Sequence, residues 1–130
     1  MSDPDERCGT LWIVATPIGT LVDLSPRAHE VFRQVDLILA EDTRRTRRLL
    51  GHFGVPVGGR ISSLHEHNED RRVSETHEAL NSGRSVALVS DAGTPVLSDP
   101  GYPLVRAARQ SGIRICSVPG PSSFTAALAA

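Results

Sequence analysis

The stretch from Val86 to Leu104 reads VALVSDAGTPVLSDPGYPL and joins a short apolar run to a long polar loop. The first five residues suit a strand that is buried on both faces of a parallel sheet. The loop that follows contains two Asp, two Gly and three Pro. A loop that only reverses the chain is usually shorter and needs fewer special residues. The pattern therefore predicts a buried strand whose carboxyl end carries a ligand-binding loop.

Four other segments have the same short, mostly apolar character, namely TLWIVAT (10–16), DLILAE (36–41), RISSLH (60–65) and IRICSVP (113–119). Amphipathic segments of helical period separate them, beginning near residues 25, 42, 68, 101 and 120. Ser25 before Pro26 is a typical helix start, and Asp42 is a second expected N-cap. The alternation predicts an α/β fold, a doubly wound, mostly parallel five-stranded sheet with helices on both faces.

The chain of 130 residues carries a net charge of −1, which is typical of one globular domain and argues against binding nucleic acid by bulk charge. We expect residues 1–9 to form a disordered tail and residues 10–130 one domain, with GVPVGGR (54–60) as a flexible link. The last helix stops without a cap, so we expect a truncated domain. Two distant cysteines, an acidic N-terminus and the lack of a long apolar run predict a cytoplasmic protein with no membrane partner.

Three loops at predicted carboxyl ends of strands mix Gly and Pro with small hydroxyl residues: 16–26, 90–101 and 118–123. Ligands of open α/β sheets bind at this edge, and such loops bring backbone groups close to a flat, polar molecule such as a nucleoside. The sequence contains neither G-x-G-x-x-G after the first strand nor G-x-x-x-x-G-K-[ST]. A ligand dominated by phosphates is therefore not expected.

The chain from Gly9 onward resembles the N-terminal half of the tetrapyrrole-methylase superfamily, and the resemblance rests on LWIVATPIGTLVDLSPRA, LILAEDTRRTRRLL, SLHEHNE, VALVSDAGTPVLSDPGYPLV and SVPGPSS. Within it, EDTRRT, HEHNE and SDAGTPVLSDPG are most similar to the methyltransferases of small-subunit ribosomal RNA. The resemblance implies S-adenosylmethionine as cofactor, methylation of a cytidine ribose 2′-oxygen, a two-lobed fold and a homodimer, with no DNA partner. The family's first loop usually ends in Asn where this chain has Thr20, whose β-branched side chain disfavours a left-handed backbone.

The same resemblance implies that three groups of residues bind the cofactor. They are Pro17, Ile18 and Gly19 in the first loop, Asp91, Ala92, Gly93, Thr94 and Leu97 in the second, and Ser122 and Ser123 in the third. For the second group a purely structural loop is the alternative, and for the two serines the alternative is helix capping.

Asp42 and His65 are the candidate catalytic residues, since each follows a predicted strand and could orient the target hydroxyl or remove its proton. Glu41 could serve as well, and Asp42 could be only a helix cap. The RNA-binding candidates are Arg44, Arg45, Arg47, Arg48 and His67. Arg44, Arg47 and Arg48 have the spacing of one helix face, and guanidinium groups match phosphate oxygens, although a solvated helix face is the alternative. No metal site is expected, because the two histidines of HEHNE have no evident third ligand.

Two other functions remain open at this point. A corrin or porphyrin methyltransferase would need no arginine cluster. A non-catalytic ligand-binding or dimerisation domain would fit if these residues formed only half of a cleft.

Overall fold

The computed structural model describes residues 9–65, 67–89 and 101–130, and of residues 123–125 only the backbone. The strands are β1 (Thr10–Val14), β2 (Leu37–Ala40), β3 (Ile61–Ser63), β4 (Val86–Val89) and β5 (Arg114–Val118). The helices are α1 (Pro26–Gln34), α2 (Thr43–His52), α3 (Glu69–Asn81), α4 (Tyr102–Gln110) and α5 (Ser123–Ala129), and a 3-10 turn covers Leu21–Asp23. The predicted alternation of strands and helices is confirmed.

The five strands form one sheet in the order β3-β2-β4-β1-β5, and every neighbouring pair is parallel. The chain moves toward one edge of the sheet from β1 through β2 to β3, and toward the other edge from β3 through β4 to β5. Right-handed crossovers in opposite directions put their helices on opposite faces. The predicted doubly wound fold is therefore confirmed, and the sheet is wholly parallel rather than mostly so.

Two apolar cores lie on the two faces of the sheet. One gathers Phe32 of α1 and Leu50 of α2 under Ile38, and the other gathers Leu80 of α3 and Leu104 of α4. Successive strand residues alternate between the two cores, as the pleat of a strand requires. Burial on both faces explains why the inner strands β2 and β4 are continuously apolar, whereas the edge strands β3 and β5 include polar residues.

The helix starts follow the local signals. The Ser25 side chain accepts a hydrogen bond from the backbone N–H of Ala28 at 3.1 Å, with Pro26 as the first helical residue. Asp42 Oδ1 accepts one from the backbone N–H of Arg44 at 3.0 Å. Both predicted N-caps are thus confirmed, because a cap depends only on neighbouring residues.

The segment 54–60 is a correction to the expected flexible link. Val55 and Val57 are buried and belong to the core under α1 and α2. Arg60 donates to the carbonyl oxygens of Phe32 at 2.9 Å and Val35 at 2.7 Å. The Gly and Pro residues shape this connection, but its valines and its arginine attach it to the helix layer.

The N-terminal boundary also changes by one residue, because Gly9 is buried and its N–H donates to the Leu80 carbonyl at 2.8 Å. Gly9 therefore belongs to the folded domain rather than to the expected tail, whose residues 1–8 lie outside the described part. Within the described ranges, no helix has the length and apolarity needed to cross a membrane.

Candidate active site

The carboxyl ends of all five strands lie at one edge of the sheet because the strands are parallel. The first, second and third candidate loops follow β1, β4 and β5, which are neighbours in the order β4-β1-β5. Asp42 and His65 follow β2 and β3, the next two strands along this edge. The described strand ends that precede the three loops, together with Asp42 and His65, therefore share one edge of the sheet.

The first loop approaches the third loop closely. The backbone N–H of Ala15 donates to the Val118 carbonyl at 3.2 Å, and a Cβ added to Gly120 would stand 3.0 Å from the Ala15 Cβ. A larger residue at position 120 would thus push the two loops apart. Glycine at this position lets the loops lie side by side.

Ile18 and Ser122, two predicted cofactor-binding residues, line one open concavity of about 600 Å³. Its remaining lining residues are Asp23, Gly120, Pro121, Ala126 and Ala129. Among these, Asp23 was missed by sequence reasoning, although an isolated acidic residue within a Gly- and Pro-containing loop was a usable signal. The concavity combines a carboxylate with small side chains.

The other residues of the first loop are placed as follows. Pro17 is buried, whereas Gly19 is exposed and has a φ of 154°, a conformation that favours glycine. Thr20 has an extended backbone with φ −112° and ψ 114°. The expected strain at Thr20 is therefore absent, because a β-branched residue is comfortable in the extended region.

Ser122 precedes α5, and its carbonyl oxygen accepts the backbone N–H of Ala126 at 2.9 Å. This is the helix-cap position that was the alternative for the serine. Ser123 is the first residue of α5, and its side chain lies outside the described part. The predicted second-loop residues Asp91, Ala92, Gly93, Thr94 and Leu97 also lie outside the described part.

The end of the second loop is held by α3. Glu69 Oε1 accepts a hydrogen bond from the backbone N–H of Gly101 at 2.8 Å, in a partly buried position. Glu69 begins α3 and Gly101 immediately precedes α4, so this bond joins the two helix starts at the active edge. Glu69 is a second residue that sequence reasoning missed, since its partner is distant in the chain.

Asp42 is engaged at the start of α2. Besides capping the helix, its Oδ1 lies 3.8 Å from Arg44 Nε, and the Arg44 side chain is 89% exposed. The structure thus shows the capping role that was one alternative for Asp42. Glu41 lies beside it and is exposed.

The four predicted RNA-binding arginines of α2 are all exposed, but they are not equivalent. Arg47 donates to the Gly58 carbonyl at 3.2 Å, which turns it toward the segment 54–60. Arg44 contacts Asp42 as described. Arg45 and Arg48 form no hydrogen bond or ion pair with any described residue. Arg45 and Arg48 are thus the two arginines of this group without such a contact in the described part of the chain, and the RNA-binding face of Arg44, Arg47 and Arg48 stays a prediction.

His65 is half-buried after β3, and His67 is exposed two residues later, with ring centroids 5.9 Å apart. The backbone N–H of His67 donates to His65 Nδ1 at 3.2 Å. Among the described residues, no group of three or more His, Cys, Asp or Glu is close enough to hold a metal ion. The other three histidines contact side chains away from this turn: the rings of His29 and His52 pack against Phe53, and His77 hydrogen-bonds to Ser111.

Comparisons with known proteins connect this site to a family. The profile of the family described as Tetrapyrrole (Corrin/Porphyrin) Methylases matches residues 10–130. The chain is 60% identical over 120 residues to the ribosomal RNA small subunit methyltransferase I of Xylella fastidiosa, covering 92% of this chain and 43% of that protein. It is 51% identical over 126 residues to the same enzyme of Escherichia coli O157:H7, covering 97% of this chain and 43% of that protein. The chain thus spans less than half the length of these relatives.

Solved structures share the fold at low sequence identity. A cobalt precorrin-4 methyltransferase superimposes with a TM-score of 0.73 at 19% identity, over 99% of this chain and 52% of that one. A diphthine synthase gives a TM-score of 0.70 at 20% identity, over 93% and 48%. The family profile covers almost the whole chain and the fold agrees with it, so the chain belongs to the tetrapyrrole methylase family.

Proposed function

We propose that this chain is the cofactor-binding lobe of an S-adenosylmethionine-dependent methyltransferase that methylates the 2′-oxygen of a cytidine ribose in small-subunit ribosomal RNA. The observation that carries the proposal is the presence, at one sheet edge, of a small-residue concavity and a helix start rich in exposed arginine. The 60% and 51% identities to ribosomal RNA small subunit methyltransferases support the choice of substrate.

The concavity fits part of the cofactor. Its volume of about 600 Å³ is in the range of small-molecule sites. Asp23 supplies a negative charge, which complements the sulfonium and ammonium groups of S-adenosylmethionine, while Gly120 leaves room for close approach and Ile18 offers an apolar contact. The remaining contacts would come from residues 91–97 and from a second lobe of the two-lobed protein.

The cofactor supplies an electrophilic methyl group, so the task of the protein is to position the acceptor and to exclude water. Asp42 and His65 would lie on the side of the site that receives the ribose hydroxyl, which accepts the methyl group. They follow β2 and β3, the two strands next to those that carry the cofactor loops. Ala40 and Ser63 are paired in the sheet register, and both candidates lie two residues beyond this pair. Asp42 is in addition a helix cap, so its substitution is expected to affect both stability and activity.

The exposed Arg45 and Arg48 would bind RNA phosphates. A few cations on a protein of net charge −1 suit contact at a few points rather than bulk attraction. A corrin or porphyrin substrate gives no reason for this patch, and the identities of 19% and 20% to solved structures show the fold alone.

A homodimer is the second part of the proposal. Several apolar side chains near the concavity are exposed, including Leu21 at 43%, Val22 at 77% and Leu128 at 71%. Apolar groups gathered at one surface are stabilised when a second lobe or a second copy covers them. Sedimentation of the full-length protein tests this, with a monomer at micromolar concentration as the contradicting result. The reaction on ribosomal RNA would take place in the cytoplasm.

The deciding experiment is ribose-methylation mapping of ribosomal RNA from cells with and without the gene. Loss of one 2′-O-methylcytidine in the small subunit, restored by the gene, is the expected result. An unchanged map would overturn the proposal.

The arginine patch has its own test in the full-length protein. Replacing Arg45 and Arg48 by Ala should weaken RNA binding and reduce the slope of log K against log salt by about 0.7–0.9 per lost phosphate contact. Arg33→Ala, an exposed arginine of α1, is the matched control and should leave the slope unchanged. Equal slopes for all variants would show that the patch does not bind phosphate.

A further inference from the structure

The turn between β3 and α3 is held together by the side chain of Asn68. Its Oδ1 accepts the backbone N–H of His65 at 2.9 Å. Its Nδ2 donates to the backbone carbonyl and to the hydroxyl of Ser63, both at 3.2 Å. The backbone N–H of Asn68 donates to the His65 carbonyl at 3.1 Å. Asn68 thus hydrogen-bonds both to His65 itself and to Ser63, which precedes His65 in the chain.

Asn68 occupies the N-cap position of α3 but makes no side-chain cap hydrogen bond there. Asparagine is among the best N-cap residues, and the cap bond is usually worth about 1 kcal/mol. Here the amide forgoes that bond and reaches back to the preceding turn. The side chain therefore stabilises the geometry around His65 rather than the helix that it precedes.

The turn also determines the tautomer of His65. The backbone N–H of His67 donates to Nδ1 of His65, so Nδ1 is an acceptor. A neutral imidazole has one acceptor and one donor nitrogen, so its proton is on Nε2. Within the described part of the chain, Nε2 makes no hydrogen bond. The ring thus keeps one N–H available at the active edge.

The backbone just before His65 is anchored to neighbouring elements, which keeps the His65 ring at the end of β3. The backbone N–H of Leu64 donates to the Ala40 carbonyl at 2.8 Å, which extends the pairing with β2 beyond the last strand residues. Arg72 Nε donates to the Ser63 carbonyl at 2.9 Å and fixes the same carbonyl from α3. The turn is therefore anchored to both the sheet and the helix.

We propose that Asn68 is a positioning residue that holds His65 as a neutral Nε2–H donor to an oxygen atom of the RNA backbone. The inference rests on the proposed function and narrows the role of His65 within it. With its proton on Nε2, the ring has no free lone pair at that nitrogen, and Nδ1, its only basic nitrogen, faces the backbone N–H of His67. The geometry therefore assigns His65 to hydrogen-bond donation instead of general base catalysis.

The tautomer is measured directly by ¹⁵N NMR of histidine in the full-length protein, with His65→Gln to assign the signal. We expect an unprotonated Nδ1 and a protonated Nε2 for the neutral ring. In Asn68→Ala the ring should sample both tautomers. Asn68→Asp keeps the acceptor for the His65 N–H but loses the donor to Ser63, so its change in tautomer population should be smaller. The His77 signals report correct folding of α3 and α4, since His77 Nε2 lies 2.7 Å from the Ser111 hydroxyl. A proton on Nδ1 in the wild-type protein would overturn the proposal.

Methylation kinetics of the same proteins test the role in the reaction. Gln can donate from its amide but is not basic, so His65→Gln should keep kcat/KM within about tenfold of wild type, while His65→Ala should lose about 10- to 100-fold. If His65 were a general base, both variants would lose about 10²- to 10⁴-fold alike, and that result would refute the assignment.

Asn68→Ala should lower kcat/KM about tenfold, whereas the matched control Asn81→Ala should not. Asn81 is on the same helix, and its Nδ2 lies 3.2 Å from His77 Nδ1 at an exposed position. Equal activity of the two variants would contradict the positioning role. A wild-type protein that methylates no ribosomal RNA would refute the proposed function alone, because the NMR result is independent of activity.

Discussion

Arg60 offers the sharpest prediction about what holds the fold together. Its guanidinium donates to the carbonyl oxygens of Phe32 at 2.9 Å and Val35 at 2.7 Å, where α1 ends. It also donates to the carbonyl of Val57 at 3.3 Å and to that of Pro56. A cation at this place satisfies carbonyl groups that the end of a helix leaves without partners and interacts favourably with the helix dipole.

The magnitude follows from the two short bonds. A hydrogen bond to a charged group contributes about 1.5–3 kcal/mol net, and the partly buried carbonyls can regain some water when the guanidinium is removed. Arg60→Met, which keeps the apolar stem, should therefore lower the free energy of unfolding by about 2–3 kcal/mol. Arg60→Lys should cost less stability than Arg60→Met, since one ammonium group can still donate to carbonyls but cannot replace the Nε and Nη2 contacts with Val57 and Pro56.

Urea unfolding followed by the fluorescence of Trp12, the single tryptophan of the chain, measures this difference. Arg33→Met is the matched control because Arg33 lies in the last turn of the same helix and is exposed. It should change the free energy of unfolding by less than about 0.5 kcal/mol. The reasoning is refuted if Arg60→Met costs no more than Arg33→Met.

Two further predictions concern contacts between distant parts of the chain. Glu69→Ala removes the carboxylate that holds the last backbone amide of the second loop, that of Gly101. It should weaken S-adenosylmethionine binding to the full-length protein about tenfold by calorimetry, while Glu78→Ala on the exposed side of α3 should not. Gly9→Ala would bring a Cβ within 1.7 Å of the Arg84 carbonyl oxygen and should destabilise the fold by about 3 kcal/mol or more in urea unfolding.

Each of these has an outcome that would count against it. Unchanged cofactor affinity in Glu69→Ala would mean that the loop is positioned without this bond. Gly59→Ala is the control for the glycine, since an added Cβ there meets nothing within 4 Å, and it should cost less than about 0.5 kcal/mol. Similar stabilities of the two alanine variants would show that the chain relieves the clash at Gly9 by a small shift.

The sequence was sufficient for features that depend on neighbouring residues. Apolar runs identified all five strands, and the caps at Ser25 and Asp42 marked two helix starts correctly, since periodicity and capping are local properties. The parallel sheet followed from the alternation of the elements. These predictions needed no knowledge of which strands become neighbours.

The expected flexible link shows where local signals fail. Glycine and proline in GVPVGGR are typical of a loop, but Val55 and Val57 are buried under helices that lie far away in the sequence. Similarly, the helical spacing of the α2 arginines gave no sign that Arg47 donates to the Gly58 carbonyl, 11 residues further along the chain. Neither outcome could be read from helix period or loop composition.

The amino-acid sequence by itself determined the family and the sheet, and it predicts the edge of the sheet at which a ligand would bind. Only the tertiary structure decided that Ile18 and Ser122 share a concavity, that Arg60 gathers the carbonyls of α1, and that Asn68 turns back to His65 instead of capping α3. The physical reason is that the strand order β3-β2-β4-β1-β5 brings together segments that are distant in the chain. The hydrogen bonds of a polar side chain then depend on which of these segments comes within reach.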